Sequence, residues 1–283
     1  MATFFNQATL SYNGRVMNSN ITEGELINTL GAAKSAITTS YTADDRVVYA
    51  INLVNSGNTA LTNATVTDNL GAYSVGVETV YPLSYVDGSI KYYVNGVITN
   101  APTVTAGPPL VISGINLPAG ANALIIYEAV TNEFAPLAIG SSITNAATMN
   151  ADGIEPIELQ ATINAEAETR LNIAKAMSPA VISDNGELTY TFIIQNSGNT
   201  PILATDDVIV SDVFNPILNP ISVTFNGTEW SEGVNYTYDE ATGEFTTLAG
   251  QITVPAAEYT QDSETGVFTV TPGVAVITVT GTV

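Results

Sequence analysis

The chain has 283 residues, only 12% charged side chains and a net charge of −21. Six basic residues against twenty-seven acidic ones make a surface that repels nucleic acid and anionic membranes, because phosphate contacts need Lys and Arg. With no cysteine and no histidine, disulfides, thiol chemistry, the commonest general base and the commonest transition-metal ligand are excluded.

The length suits two domains of about 140 residues better than one. Hydrophobic content of 45% is ample for packed cores. Thr, Val, Ile, Tyr, Asn and Gly abound without any long helical pattern, which favours all-β structure. No apolar run is long enough to span a bilayer, so no membrane insertion is expected. The N-terminus shows neither a basic n-region nor an apolar h-region, so a classical secretion signal is not expected either. No phosphate loop, nucleophile elbow or paired-carboxylate motif emerges. The expectation is a protein that is not an enzyme and carries no cofactor or metal.

In chain order, residues 1–14 (MATFFNQATLSYNG) read as one alternating strand. Phe5, Gln7, Thr9 and Ser11 face one way, and Phe4, Ala8, Leu10 and Tyr12 the other. Residues 15–23 read as a linker. The segment ITEGELINTLGAAK leaves room for one short helical turn, and Gly24 and Gly31 argue against more. From Ala32 the chain repeats itself. Ala32 to Thr59 aligns without gaps on Ile173 to Thr200, so Lys34 falls on Lys175, Tyr49 on Tyr190, and the turn NSGNT on a second NSGNT. Next, ATVTDNLG falls on VIVSDVFN, which places Asp68 on Asp212. Later, the Gly120 turn and NALIIYEAV fall on Gly273 and AVITVTGTV, so that Val130 meets Val283. Finally, NAATMNADG at 145–153 is a near copy of NQATLSYNG at 6–14.

The chain thus reads as two repeats, permuted so that its ends fall before the last strand. The expected domains are a donor strand at 1–14, a linker at 15–23, a complete sandwich at 24–151, and a second sandwich at 152–283 lacking its closing strand. Each repeat offers about seven to nine short strands separated by turn clusters, the pattern of an immunoglobulin-like Greek-key sandwich. A sandwich without a closing strand exposes unpaired backbone groups beside an open apolar groove. An extended peptide can fill both. The strand bearing Phe4, Phe5, Asn6, Ala8, Leu10 and Tyr12 is expected to fill them in another copy, giving a head-to-tail homopolymer. Folding back within one chain is the alternative.

Lysine occurs only three times, and Lys34 and Lys175 hold equivalent places on the first strand of each sandwich. Asp68 and Asp212 match likewise, as do Asn145 and Asn6. A buried Lys amine is pushed toward its neutral, nucleophilic form. A carboxyl in the same dry site can polarise an Asn carboxamide and shuttle the proton as ammonia leaves. Lys, Asp and Asn in this order resemble the self-forming isopeptide cross-links of Gram-positive adhesin and pilin domains, and the resemblance implies that Lys34 would join Asn145 with Asp68 as promoter, and Lys175 would join Asn6 of the next copy with Asp212. The same residues also read as plain Lys–Asp ion pairs with hydrogen-bonding Asn side chains. Asp44–Asp45 and Asp206–Asp207 read as solvated loops before calcium ligands. Trp230 reads as a core or edge anchor.

These elements resemble the conserved-repeat domain family of prokaryotic surface proteins, a domain of unknown function. Its pattern appears here as Lys34, Val47-Val48-Tyr49-Ala50-Ile51, NSGNT, Val66-Thr67-Asp68 and Asn145-Ala146-Ala147-Thr148-Met149. The second set is Lys175, Leu188-Thr189-Tyr190, NSGNT, Val210-Ser211-Asp212 and Asn6-Gln7-Ala8-Thr9-Leu10. More loosely, size and two-repeat layout resemble the ribbon-appendage proteins of spores. The resemblance implies an extracellular, cell- or spore-surface filament subunit, with itself and anchor or tip proteins as partners. The alternative is a monomeric adhesin or stalk module binding a carbohydrate or protein ligand.

Overall fold

The computed structural model describes residues 2–26 and 30–283. Apart from one 3-10 turn at Ala204–Asp206, the regular structure of these residues is strand. The N-terminal part holds β1 (Ala2–Asn6), β2 (Thr9–Tyr12), β3 (Arg15–Asn18) and β4 (Thr22–Leu26). Then come β5 (Leu30–Ala36), β6 (Ser40–Tyr41), β7 (Arg46–Asn55), β8 (Leu61–Asp68), β9 (Tyr73–Val75) and β10 (Glu78–Val80). Next are β11 (Leu83–Tyr85), β12 (Lys91–Val94), β13 (Val97–Thr99) and β14 (Thr103–Thr105). Four long strands follow: β15 (Leu110–Leu117), β16 (Asn122–Thr131), β17 (Ser142–Ala151) and β18 (Ile154–Ala165).

The C-terminal part begins with β19 (Leu171–Ser178), β20 (Glu187–Asn196), β21 (Ser211–Val213), β22 (Ile221–Phe225) and β23 (Thr228–Trp230). It ends with β24 (Tyr236–Asp239), β25 (Glu244–Thr247), β26 (Glu258–Gln261), β27 (Phe268–Thr271) and β28 (Gly273–Thr282). The chain divides into two compact units: the described residues through Ser74 with Thr79–Ala135 and Ile143–Ile163, and Val75–Glu78 with Pro136–Ser142 and Asn164–Val283.

The first unit is a sandwich of two sheets. One runs β13–β12–β16–β7–β5 with β11 also on β16, and the other β14–β15–β8–β17–β18–β6. Alternation explains the pairing: Val47, Tyr49, Ile51 and Leu53 of β7 lie opposite Ala129, Tyr127, Ile125 and Ala123 of β16, all buried. The opposing sheet contributes Val66, Ile112, Ala147, Met149 and Ile163. The second unit has a sheet β19–β20–β28–β22–β23 and a short sheet β21–β25–β24. Its core is aromatic, with Tyr190 stacked on Phe214 at 4.8 Å and Phe214 on Phe245 at 5.5 Å.

The two sandwiches are all-β as expected, and one of their differences bears on the site. β8 lies between β15 and β17, so Asp68 pairs with Leu110 on one side and Ala147 on the other. Its counterpart β21 is a three-residue edge strand, paired only with β25 among the described residues.

The structure revises five expectations. Residues 1–14 are not one strand. β2 turns at Asn13–Gly14, both at positive φ as a type I′ hairpin requires, and returns as β3. β1 pairs with β4, so 15–23 is the second arm of a ribbon and not a linker. Between the two pairings the returning arm gains one residue (Thr9 opposite Asn18, then Asn6 opposite Thr22), a bulge that leaves the alternation of 2–12 intact. The helical turn of ITEGELINTLGAAK is absent from its described residues, where β4 and β5 stand; 27–29 and Met1 lie outside the description. The first sandwich extends past 151 to Ile163, because β18 pairs with β17 and buries Leu159, Ala161 and Ile163. Finally, Tyr49 faces Tyr127 and Tyr190 faces Val279, so Val279 and not Thr280 matches Tyr127. A one-residue slip in a Val/Ile/Thr-rich strand leaves its composition unchanged and moves every side chain to the other face.

Candidate functional site

In the first sandwich, Lys34 on β5, Asp68 at the end of β8 and Asn145 on β17 converge inside the core. Tyr127 of β16 and Tyr49 of β7 stand beside them. The Lys34 and Asp68 side chains are both 0% exposed. Lys34 Nζ donates to Asp68 Oδ2 at 2.8 Å. The Tyr127 hydroxyl donates to the same oxygen, and Asn145 Nδ2 donates to Tyr127 Oη at 3.1 Å. The Leu70 N–H donates to Asp68 Oδ1 at 2.9 Å, and the Gly71 N–H to Asn145 Oδ1 at 3.2 Å. Lys34 Nζ sits 5.0 Å from the Tyr49 ring centroid, and that ring stacks on Tyr127 at 5.5 Å.

Burial lowers the Lys34 pKa below the ordinary lysine value, while the Asp68 carboxylate opposes the shift. Burial, then the Asp68 charge, raises the Tyr127 pKa well above its ordinary value, so its hydroxyl keeps its proton. Tyr49 is raised for the same reasons, burial first.

Tyr127 and Gly71 are the members that sequence reasoning missed. A buried tyrosine needs a partner for its hydroxyl, and that was the available signal. Gly71 has φ +74°, and a Cβ there would meet Ile143 Cγ2 at 2.5 Å and Pro82 Cγ at 3.1 Å. Gly71→Ala is therefore expected to destabilise the first sandwich by about 1–3 kcal/mol, seen as a lower thermal midpoint.

In the second sandwich, Lys175 on β19 and Asp212 on β21 form an ion pair. Lys175 Nζ lies 4.2 Å from the Tyr190 ring centroid and 5.5 Å from that of Phe214. The Lys175 and Asp212 side chains are 37% and 22% exposed. A largely apolar groove of about 180 Å³ is lined by Leu171, Ile173, Ile194, Val208, Ile209 and Val210, with Asn172 as its polar member. Leu171 is 44% exposed, whereas Leu30, its counterpart on β5, is 2% exposed.

Asn6 is exposed on β1, where its backbone pairs with Thr22. A single copy therefore assembles the first Lys–Asp–Asn set and two members of the second. Phe5, Asn6, Ala8, Leu10 and Tyr12 are all exposed; the side chain of Phe4 lies outside the described residues, though its backbone pairs with Gly24. Asp45 and Asp206 cap local turns by accepting from the backbone N–H of Thr42 and Leu203. Among the described residues no cluster of three candidate metal ligands occurs. Trp230 stacks on Phe225 at 5.0 Å and packs against the second core.

No protein-family model and no curated protein matches the chain. Among solved structures, it is similar to the major pilin subunit BcpA of Bacillus cereus, at 13% identity over 95% of this chain and 73% of that one, with a TM-score of 0.38. The full-length major pilin SpaD of Corynebacterium diphtheriae matches at 10% identity over 93% of this chain and 73% of that one, with a TM-score of 0.37. The pilus backbone RrgB of Streptococcus pneumoniae matches at 12% identity and a TM-score of 0.35; the match covers 86% of this chain and 55% of RrgB. What fold and site define by themselves is a tandem β-sandwich protein with a buried Lys–Asp–Asn cluster in one sandwich and a half-built copy in the other.

Proposed function

We propose that this protein is the structural subunit of an extracellular filament on a cell or spore surface. Copies join head to tail, each laying its N-terminal hairpin along β21 of a neighbour. One observation carries this reading. The hairpin presents to solvent the residues that its mid-chain counterpart buries: Leu10 is 59% exposed where Met149 is 1% exposed. The first sandwich supplies the register. There Ala147, Thr148 and Met149 pair with Asp68, Thr67 and Val66. By the same rule Ala8, Thr9 and Leu10 meet Asp212, Ser211 and Val210. Main-chain bonds then satisfy the open edge of β21, and the apolar groove receives the side chains. Such a contact is heterologous, so repetition without closure gives a fibre.

The Lys–Asp–Asn sets make the fibre covalent in this reading. Within a subunit, neutral Lys34 attacks Asn145 Cγ. The Gly71 N–H steadies the carboxamide oxygen as charge develops on it. Asp68 manages the proton, an amide bond forms and ammonia leaves. Between subunits, Lys175 joins Asn6 beside Asp212.

Electron microscopy and denaturing gels of the purified protein test the proposal. Filaments are expected, together with a ladder that survives boiling in detergent. A protein that stays monomeric at every concentration rejects assembly and favours a closed adhesin or stalk module instead.

A further inference from the structure

We infer that Tyr127 is a catalytic residue of the first sandwich's cross-link, carrying the proton to the departing nitrogen. The inference presupposes the Lys34–Asn145 bond. It rests on the connectivity of the cluster. Asp68 Oδ2 receives both the nucleophile, Lys34 Nζ at 2.8 Å, and the Tyr127 hydroxyl. Its other oxygen is held by the Leu70 N–H. The leaving nitrogen, Asn145 Nδ2, lies 3.1 Å from Tyr127 Oη. The hydrogen-bonded path from carboxyl to carboxamide nitrogen therefore runs through the phenol.

The step balances as follows. A proton passes from the Lys34 ammonium to Asp68, leaving a neutral amine and a neutral carboxyl. Nζ attacks Asn145 Cγ and the new C–N bond forms. Asp68 hands its proton to Tyr127 Oη as the hydroxyl proton moves onto Nδ2. The Cγ–Nδ2 bond breaks, ammonia departs, and Asp68 recovers a proton from Nζ. Tyr127 ends as it began. Burial keeps the phenol protonated while it disfavours the charged amine, so both groups hold the forms this step needs.

Two further observations sharpen the assignment. Tyr49 stacks on Tyr127 and is equally buried, yet it is the Tyr127 hydroxyl that donates to Asp68. In the second sandwich Val279 occupies the place of Tyr127. The bond between copies lacks this carrier and is expected to form more slowly than the internal one.

The test follows the Lys34–Asn145 cross-linked peptide by mass spectrometry in a time course after cell-free synthesis of the full chain. The parent protein is expected to lose one ammonia at this site. Tyr127→Phe should form the bond at least about 10²-fold more slowly, the usual contribution of a positioned proton donor, with an unchanged circular dichroism spectrum. Tyr49→Phe keeps the ring over Lys34 and should slow the bond far less than Tyr127→Phe does. Should Tyr127→Phe fold poorly, 3-fluorotyrosine at position 127 keeps the hydroxyl and should retain the bond. No bond in the parent removes the cross-linking reading itself. A bond in the parent that forms equally fast in Tyr127→Phe overturns the role of Tyr127 alone. Equal slowing in Tyr49→Phe assigns the effect to packing and overturns it too.

Discussion

Leu10→Asp is expected to abolish filament growth and leave the subunit as stable as the parent. The argument is a difference between two environments of one position. In a single copy Leu10 sits on β2 of an exposed ribbon, opposite Met17, which is also exposed. A carboxylate there stays hydrated and costs the fold almost nothing. In the docked register the same side chain enters the position that Met149 fills in the first sandwich, buried to 1% exposure. An unpaired carboxylate in such a place costs about 3–5 kcal/mol. That weakens docking by roughly 10²- to 10³-fold or more. Met149→Asp is the matching control, and it should unfold the first sandwich outright. Light scattering reports assembly, and thermal circular dichroism reports the subunit. Filaments of Leu10→Asp at the parental threshold concentration would exclude the hairpin as the donor.

The sites and the hairpin differed in how far the sequence revealed them. Lys34 and Asp68 were legible because each recurs in the second repeat, as Lys175 and Asp212, and Asn145 because the chain start copies its strand at Asn6; a repeat fixes position without needing burial. The returning arm Arg15–Asn18 was not legible. Its side chains face solvent on both sides, so RVMNSNITE shows no apolar alternation, although Asn13–Gly14 is a strong hairpin signal. Tyr127 escaped for another reason. Its role depends on register between β16 and β7, and the matching strand β28 is so rich in Val, Ile and Thr that a slip of one residue leaves no trace in composition. The boundary near 151 failed similarly: β18 continues the sandwich through alternate buried positions, and nothing in ELQATINA marks it as belonging to the preceding domain.

The two clusters also differ in water. Lys34 and Asp68 are sealed within one chain, whereas Lys175 and Asp212 remain partly hydrated. In the proposed assembly the arriving hairpin would exclude solvent from this pair, which would tie the covalent step to correct docking. Asn6→Ala should separate the two events. The substitution removes the acyl group but leaves the backbone that pairs along a sheet edge, and Asn6 is exposed in the free subunit. Filaments are expected to form at nearly the parental concentration, and boiling in detergent should return them to monomer. That monomer should still be one ammonia lighter than its sequence requires, because Lys34 and Asn145 are untouched. A covalent ladder from Asn6→Ala would place the bond elsewhere. Failure to assemble would make Asn6 a docking residue whose side chain the edge of β21 requires.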